Sequence, residues 1–264
     1  MQGIDTHAHV FSATAPAVAG ARYRPSYAAR LAAWRALWRP AGITHGVLVQ
    51  PSFFGTNNTE MLATIASDPS RLRGVAVVDP IVSDSALARL AAGGVRAIRL
   101  NLRGVSDLAE YASTRWDALF TRVHARGWHV ELFLEPAALP AIAPAFARNA
   151  IPLVLDHFGS PCDNDDDANG RVFETAKALA ADRPVWCKLS APYRLGGADA
   201  QSLAARWLEV LGPGRLVWGS DWPWTQNERG KDYLRLREAL DRWVGAANAP
   251  AVLWDNAARL YGFA

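Results

Sequence analysis

The sequence predicts an α/β protein built as one (β/α)8 TIM barrel, and three observations predict it. Short apolar runs rich in β-branched residues alternate with longer Ala/Leu/Arg stretches of helical period, the pattern of repeated βα units around parallel strands. Eight such runs fit into 264 residues, a length at which a single barrel domain is an ordinary outcome, so residues 1–264 are read as one domain. Polar, chemically competent residues gather where those runs end, which is where barrels carry their chemistry. The competing architecture, an open doubly wound sheet, would need a phosphate-binding glycine pattern, and neither G-x-G-x-x-G nor a P-loop is present.

Taken in order, the strands are expected at GIDTHAH (3–9), HGVLVQ (45–50), RGVAVVD (73–79), VRAIRLNL (95–102), HVELFLE (129–135), IPLVLDH (151–157), PVWCKLS (184–190) and RLVWGSD (215–221). Helical stretches lie between them, among them 26–38, 85–94, 113–127 and 199–212. Several end on Gly, which accepts the left-handed conformation that stops a helix. The acidic run DNDDDANG (163–170) reads as a solvated loop, with a lid or cation site as the less favoured alternative.

Composition excludes several function classes. Half the residues are hydrophobic, yet no stretch approaches the roughly 18 uninterrupted apolar residues of a membrane span. An apolar strand starts within five residues of Met1 with no basic leader before it, which argues against export. Two cysteines, Cys162 and Cys187, are too few for a disulfide framework and fit a reducing compartment, so the expected location is cytoplasmic. The formal charge of +3 is not gathered into Lys/Arg blocks interleaved with aromatics, so neither nucleic acid nor membrane is an expected partner. Nothing in the pattern bears on oligomeric state.

The strand ends supply the candidate site. Side chains alternate across a strand, so His7 and His9 share a face while Ala8 takes the other. If that face looks into the barrel, the sixth strand adds His157 and the eighth adds Asp221 at the same mouth. Three imidazoles and a carboxylate suit a borderline divalent cation such as zinc, with a position open for water. A lone buried histidine is more often a hydrogen-bonded core residue; the coincidence of four such residues at strand ends favours a reaction centre. His45 and His129 begin strands and His124 lies in a helix, so they are left out.

A second constellation is basic. Arg99 and Asn101 share a face of the fourth strand and Arg103 continues that parity into the loop; Arg194 follows the seventh strand, and Tyr23, Arg24 and Tyr27 lie after the first. An inward arginine needs an anion. For Arg99 this is either Glu131 or Glu135 on the next strand, or a substrate carboxylate held in bidentate fashion. Lys188 faces inward with Ser190, as an ion-pair member or a polarising group. Trp222 is either pocket wall or local core.

The segments GIDTHAHVF, VLVQPSFFG, GVAVVDP, GVRAIRLNL, LVLDHFGSP, WCKLSAPYR and LVWGSDWPW together resemble the amidohydrolase superfamily in its amidohydrolase-2 branch, and within it the lactonases of pyrone dicarboxylates and sugar lactones. The resemblance runs nearly end to end. It implies a barrel hydrolase centred on His7, His9, His157 and Asp221, and it matches Arg99, Arg103, Arg194 and Ser52 to positions that hold substrate carboxylates. Tyr23 or Tyr27 would serve from the first loop, while the place of a further tyrosine is taken by Phe133. The seventh strand reads CKLS and lacks the histidine of binuclear members and of decarboxylases, which counts against a paired-metal site and against decarboxylation. Lactonases of this type are understood to need no metal although they keep the HxH.

The expected activity is hydrolysis of a carboxylated lactone, a small anionic substrate, with Asp221 as general base. No cofactor is required, or one divalent metal, zinc in the first place, sits on His7, His9, His157 and Asp221. The alternatives are a mononuclear zinc-dependent amidohydrolase or decarboxylase and, in a different class, an inactive barrel that binds a partner.

Overall fold

The computed structural model describes residues 2–14, 16–161 and 166–264. Its eight strands are β1 (Ile4–Ala8), β2 (His45–Val49), β3 (Leu72–Ala76), β4 (Val95–Asn101), β5 (His129–Phe133), β6 (Leu153–Leu155), β7 (Val185–Ser190) and β8 (Leu216–Gly219). All pair in parallel, in the order of the chain. The seam between β8 and β1 is joined just past the strand ends: Asp221 N donates to His7 O and His9 N to Trp222 O, each at 2.8 Å. The barrel predicted from the alternation is present, with every expected strand in its place.

Nine α-helices lie among the described residues: α1 (Leu31–Ala36), α2 (Thr59–Ala66), α3 (Asp84–Ala92), α4 (Thr114–His124), α5 (Ala138–Ile142), α6 (Asp166–Ala180), α7 (Ala200–Leu211), α8 (Tyr233–Val244) and α9 (Asn256–Tyr261). Ser83, Asp199 and Asp232 cap α3, α7 and α8 by accepting a backbone N–H in the first turn. The stretch 26–38 yields a shorter helix than its periodicity suggests. Ala29 is drawn into an antiparallel bridge with Phe11, each N–H donating to the other's carbonyl, and that extended backbone cannot be helical. In the acidic run, residues 163–165 lie outside the described residues, and from Asp166 onward the chain is helix α6 rather than loop.

Two apolar clusters mark the layers. Ile4, Val47, Val49, Val75, Ala97, Val154, Trp186 and Val217 fill the barrel interior together with Ala257, Tyr261 and Phe263, so α9 closes the floor. The alternate strand residues, such as Leu48, Ile98, Leu132 and Leu189, pack outward against the helices in the larger cluster. No described helix is long and apolar enough to cross a membrane.

Candidate active site

Above the apolar floor the barrel interior turns ionic. Lys188 of β7, fully buried, places Nζ 2.7 Å from Glu131 Oε2, 3.1 Å from Asp156 Oδ1 and 3.1 Å from His7 Nδ1. Arg99 of β4 sets Nε and Nη2 each 2.9 Å from Asp156 Oδ2. Tyr261, from the floor helix, donates to Glu131 Oε1 at 2.6 Å. Two cations thus meet two carboxylates, the condition on which buried charge is tolerated. Burial alone would push Glu131 up, but the Lys188 ammonium outweighs it and brings the carboxyl down to about 2. Asp156 is likewise held well below the usual carboxylate range, Lys188 and Arg99 overcoming its burial.

This arrangement corrects the expected partner of Arg99. Glu131 is its neighbour in the β4–β5 ladder, but that carboxylate is turned toward Lys188 and Tyr261, and Arg99 reaches past it to Asp156. Lys188 is an ion-pair member that also touches a catalytic candidate.

The four central candidates converge on this layer. His7 Nε2, His9 Nε2 and His157 Nε2 stand 3.6, 3.5 and 3.9 Å from one atom, Asp221 Oδ1. His7 faces inward because β1 shifts register against β2 between Asp5 and Ala8: Ile4 points into the barrel, and the extra residue lets His7, three positions on, do so too. His157 and Asp221 lie just beyond their strands on left-handed backbone, with φ of 52° and 58°. Such residues carry strain of order 1 kcal/mol or more that the surrounding fold must impose, and they cluster at functional sites.

Supporting contacts orient each group. His9 Nδ1 donates to Val49 O at 2.7 Å, and His157 Nδ1 shares a hydrogen with Ser190 Oγ at 2.8 Å. Asp221 Oδ2 accepts from Tyr193 Oη at 2.7 Å and Arg194 Nε at 2.9 Å, which leaves Oδ1 for the histidines and the cavity. Burial works against the charged form of Asp221, yet Arg194 and then the imidazoles hold its carboxyl well below the usual range. Burial, assisted by Lys188, lowers His7 to about 4, and burial lowers His157 well below its ordinary value, so both rings are neutral near pH 7. Gly219 lets β8 press on β1, since a Cβ there would lie 2.6 Å from His7 Cβ.

Behind β1, on its outer side, Asp5 is a further organiser that sequence reasoning missed. Its carboxylate accepts from Ser220 N and Oγ, Trp34 Nε1 and Tyr233 Oη, tying the residue before Asp221 to α1 and α8. Burial raises its pKa against the pull of these hydrogen bonds. The available signal was an aspartate at an outward position of a strand that helices must cover.

A cavity of about 400 Å³ opens above Asp221. His9, His157, Ser52, Arg99, Arg103, Arg194 and Tyr23 all line it, as do Arg22 and Asn101. Phe133 forms one wall, with the Arg99 and Arg103 guanidinium carbons 5.0 and 5.8 Å from its ring centre. Asn101 Oδ1 is buried without a hydrogen-bond partner among the described residues. Tyr27 is not in the lining: Tyr23 and Tyr27 both donate to Glu228 Oε1, at 2.9 and 2.8 Å, and join the loop after β1 to the loop after β8. Trp222 resolves as core, stacked 6.3 Å from Trp34.

His7, His157 and Asp221 each bring a donor atom within 4.8 Å of the others, and His7 Nε2 is buried with no hydrogen-bond partner among the described residues. Edges of about 3.4 Å follow from tetrahedral zinc bonds near 2.1 Å, so these donors fit one borderline divalent cation, with His9 beside them.

Comparison with known proteins agrees with this geometry. The amidohydrolase family model matches residues 4–263. The chain is 30% identical to 2-pyrone-4,6-dicarboxylate hydrolase of Comamonas testosteroni, over 83% of this chain and 76% of that protein. It is 29% identical to 4-sulfomuconolactone hydrolase of Rhizobium radiobacter, over 98% and 89%. The crystal structure of a probable 2-pyrone-4,6-dicarboxylic acid hydrolase from Acinetobacter baumannii with citric acid bound superposes with a TM-score of 0.92 at 33% identity, covering all of both chains. The relatives are hydrolases of lactones, the fold is theirs, and this chain belongs to the amidohydrolase family.

Proposed function

We propose that this protein hydrolyses a lactone bearing more than one carboxylate. The observation that carries the reading is a carboxylate oxygen, Asp221 Oδ1, ringed by three imidazole nitrogens beneath a cavity lined by four arginines. Asp221 takes a proton from water as the oxygen adds to the ring carbonyl. His7 and His157 face the oxygen that gains negative charge. The carbon–oxygen bond of the ring then breaks, and the departing oxygen recovers the proton from Asp221, giving a hydroxy acid. Arg103, Arg22 and the outward side of Arg99 hold the substrate carboxylates, with Ser52, Asn101 and Tyr23 completing the contacts. Arg194 serves chiefly by orienting Asp221, and Tyr27 by anchoring the loop through Glu228.

Were a divalent cation held by His7, His157 and Asp221, it would supply Lewis-acid polarisation of the same carbonyl. The test is a panel assayed before and after chelation: a pyrone dicarboxylate, an uncharged lactone, an amide and an aromatic carboxylate. Ring opening that prefers the dicarboxylate supports the proposal. Turnover of the amide alone, release of carbon dioxide without ring opening, or no turnover overturns it. Activity lost on chelation and restored by zinc selects the metal-assisted form.

A further inference from the structure

We propose that Lys188 is a positioning residue that fixes His7 in the tautomer with hydrogen on Nε2, so that the HxH pair presents one donor and one acceptor to the site. The two histidines look equivalent in sequence, but their Nδ1 atoms meet opposite partners. His9 Nδ1 faces the carbonyl oxygen of Val49 at 2.7 Å, and a carbonyl only accepts, so the hydrogen sits on Nδ1 and the lone pair on Nε2. His7 Nδ1 faces Lys188 Nζ at 3.1 Å, and an ammonium has three hydrogens and no lone pair. A hydrogen on His7 Nδ1 would point at another donor; a lone pair there accepts from it.

The surroundings close off the other arrangement. The competing acceptor for a Nδ1 hydrogen is Asp156 Oδ1, which at 3.4 Å lies farther from Nδ1 than the ammonium does. That oxygen already has the Lys188 ammonium at 3.1 Å and belongs to a carboxylate gripped by Arg99. Lys188 is itself immobile: fully buried, tied to Glu131, and set among His7, Glu131 and Asp156, three groups whose donor atoms would otherwise suit a second cation. With one hydrogen on a neutral ring, Nε2 carries it, and Nε2 is the ring atom of His7 left without a hydrogen-bond partner among the described residues, 3.6 Å from Asp221 Oδ1.

Two consequences follow. His7 offers an N–H to the ring carbonyl oxygen while His9 Nε2 and Asp221 Oδ1, 3.5 Å apart, both accept from the attacking water. This first consequence rests on the lactone-opening reading; the tautomer does not. The second is that a metal approaching His7 Nε2 must first displace that hydrogen to Nδ1, against the ammonium, so Lys188 suppresses zinc affinity.

The test is the long-range proton–nitrogen NMR spectrum of the histidine rings in chelated, substrate-free protein, assigned with His7→Gln and His9→Gln. The expected result is hydrogen on Nε2 of His7 and on Nδ1 of His9; hydrogen on Nδ1 of His7 overturns the inference. In the double variant Lys188→Met/Glu131→Gln, which removes one buried cation with one buried anion, His7 is expected to shift toward the other tautomer. Zinc affinity measured by calorimetry should then rise on the order of tenfold, the scale of such supporting hydrogen bonds. An unchanged tautomer and affinity in the folded double variant overturns the role of Lys188, and if that variant does not fold, the wild-type spectrum decides. Lactone opening with the reversed tautomers would defeat this inference alone; the predicted tautomers without lactone opening would defeat the functional proposal alone.

Discussion

Gly219→Ala is the sharpest single-atom probe of the site. The added Cβ would lie 2.6 Å from His7 Cβ and 3.0 Å from His7 N, while ordinary contact begins near 3.4 Å, so β1 and β8 must separate by about 0.8 Å at this point. Neither atom is the free end of a flexible side chain. The displacement therefore passes directly to the imidazole proposed to face the substrate carbonyl and to the neighbouring Asp221, whose N–H is bonded to His7 O. A misplacement of about 1 Å at a reacting group can lower the rate on the order of a hundredfold. Overpacking costs about 1–3 kcal/mol, which a domain of this size survives. The assay is steady-state opening of the preferred lactone by ring absorbance, with thermal unfolding as a control. The expected result is kcat down roughly a hundredfold with KM little changed and the variant still folded. A folded variant with kcat within about twofold of wild type would refute the claim that His7 placement limits the rate.

Three further outcomes follow from the geometry. Asp221→Asn keeps the shape but removes the proposed base, so kcat should fall by about 10² to 10⁴, while equilibrium binding of the substrate persists; substantial turnover would remove Asp221 from that role. Arg103→Met removes a half-exposed rim cation, so KM should rise about tenfold to a hundredfold, the value of one hydrogen bond to a charged group. Its unfolding temperature should not change, because the pair with Glu135 at 3.7 Å is solvent-exposed. Stability should decline on acidification in two stages. His7, at about 4 when folded against 6.5, binds its proton more readily unfolded, so its share is lost as pH falls from 6.5 toward about 4. Glu131, at about 2 against 4.5, contributes fully above 4.5, and that share is lost between 4.5 and about 2. Urea titrations across pH read both stages, and Glu131→Gln should flatten the lower one.

What could be read from the sequence was whatever depends on local period. Strands such as HVELF announce themselves by composition, and the convergence of His7, His9, His157 and Asp221 could be anticipated because barrel geometry sends every strand end to one mouth. What could not be read depends on pairing across the barrel. Asp156 was visible beside His157 but its meaning lay in Arg99, two strands before it, and Lys188, one strand after it. The register shift in β1 leaves no compositional trace, although without it His7 would not face inward when Ile4 does. Tyr193 stood in plain sight in SAPYR, yet only the turn after β7 brings its hydroxyl onto Asp221. Tyr23 and Tyr27 were expected to serve the substrate from the first loop; Tyr23 lines the cavity and Tyr27 does not, and Glu228, some two hundred residues away, is what engages them both.

The seam between β1 and β8 has a consequence for how the protein comes into being. The backbone bonds that close the ring, Asp221 N to His7 O and His9 N to Trp222 O, involve three of the four residues of the proposed reaction centre. Closure and assembly of the proposed centre are therefore one event, brought about by segments more than two hundred residues apart. A nascent or partly refolded barrel with seven strands in place holds His7 and His9 without Asp221, and so lacks the proposed base. Regain of activity during refolding should thus report the last step of closure rather than the growth of the sheet, a delay expected where long-range pairing has to be completed before it is rewarded.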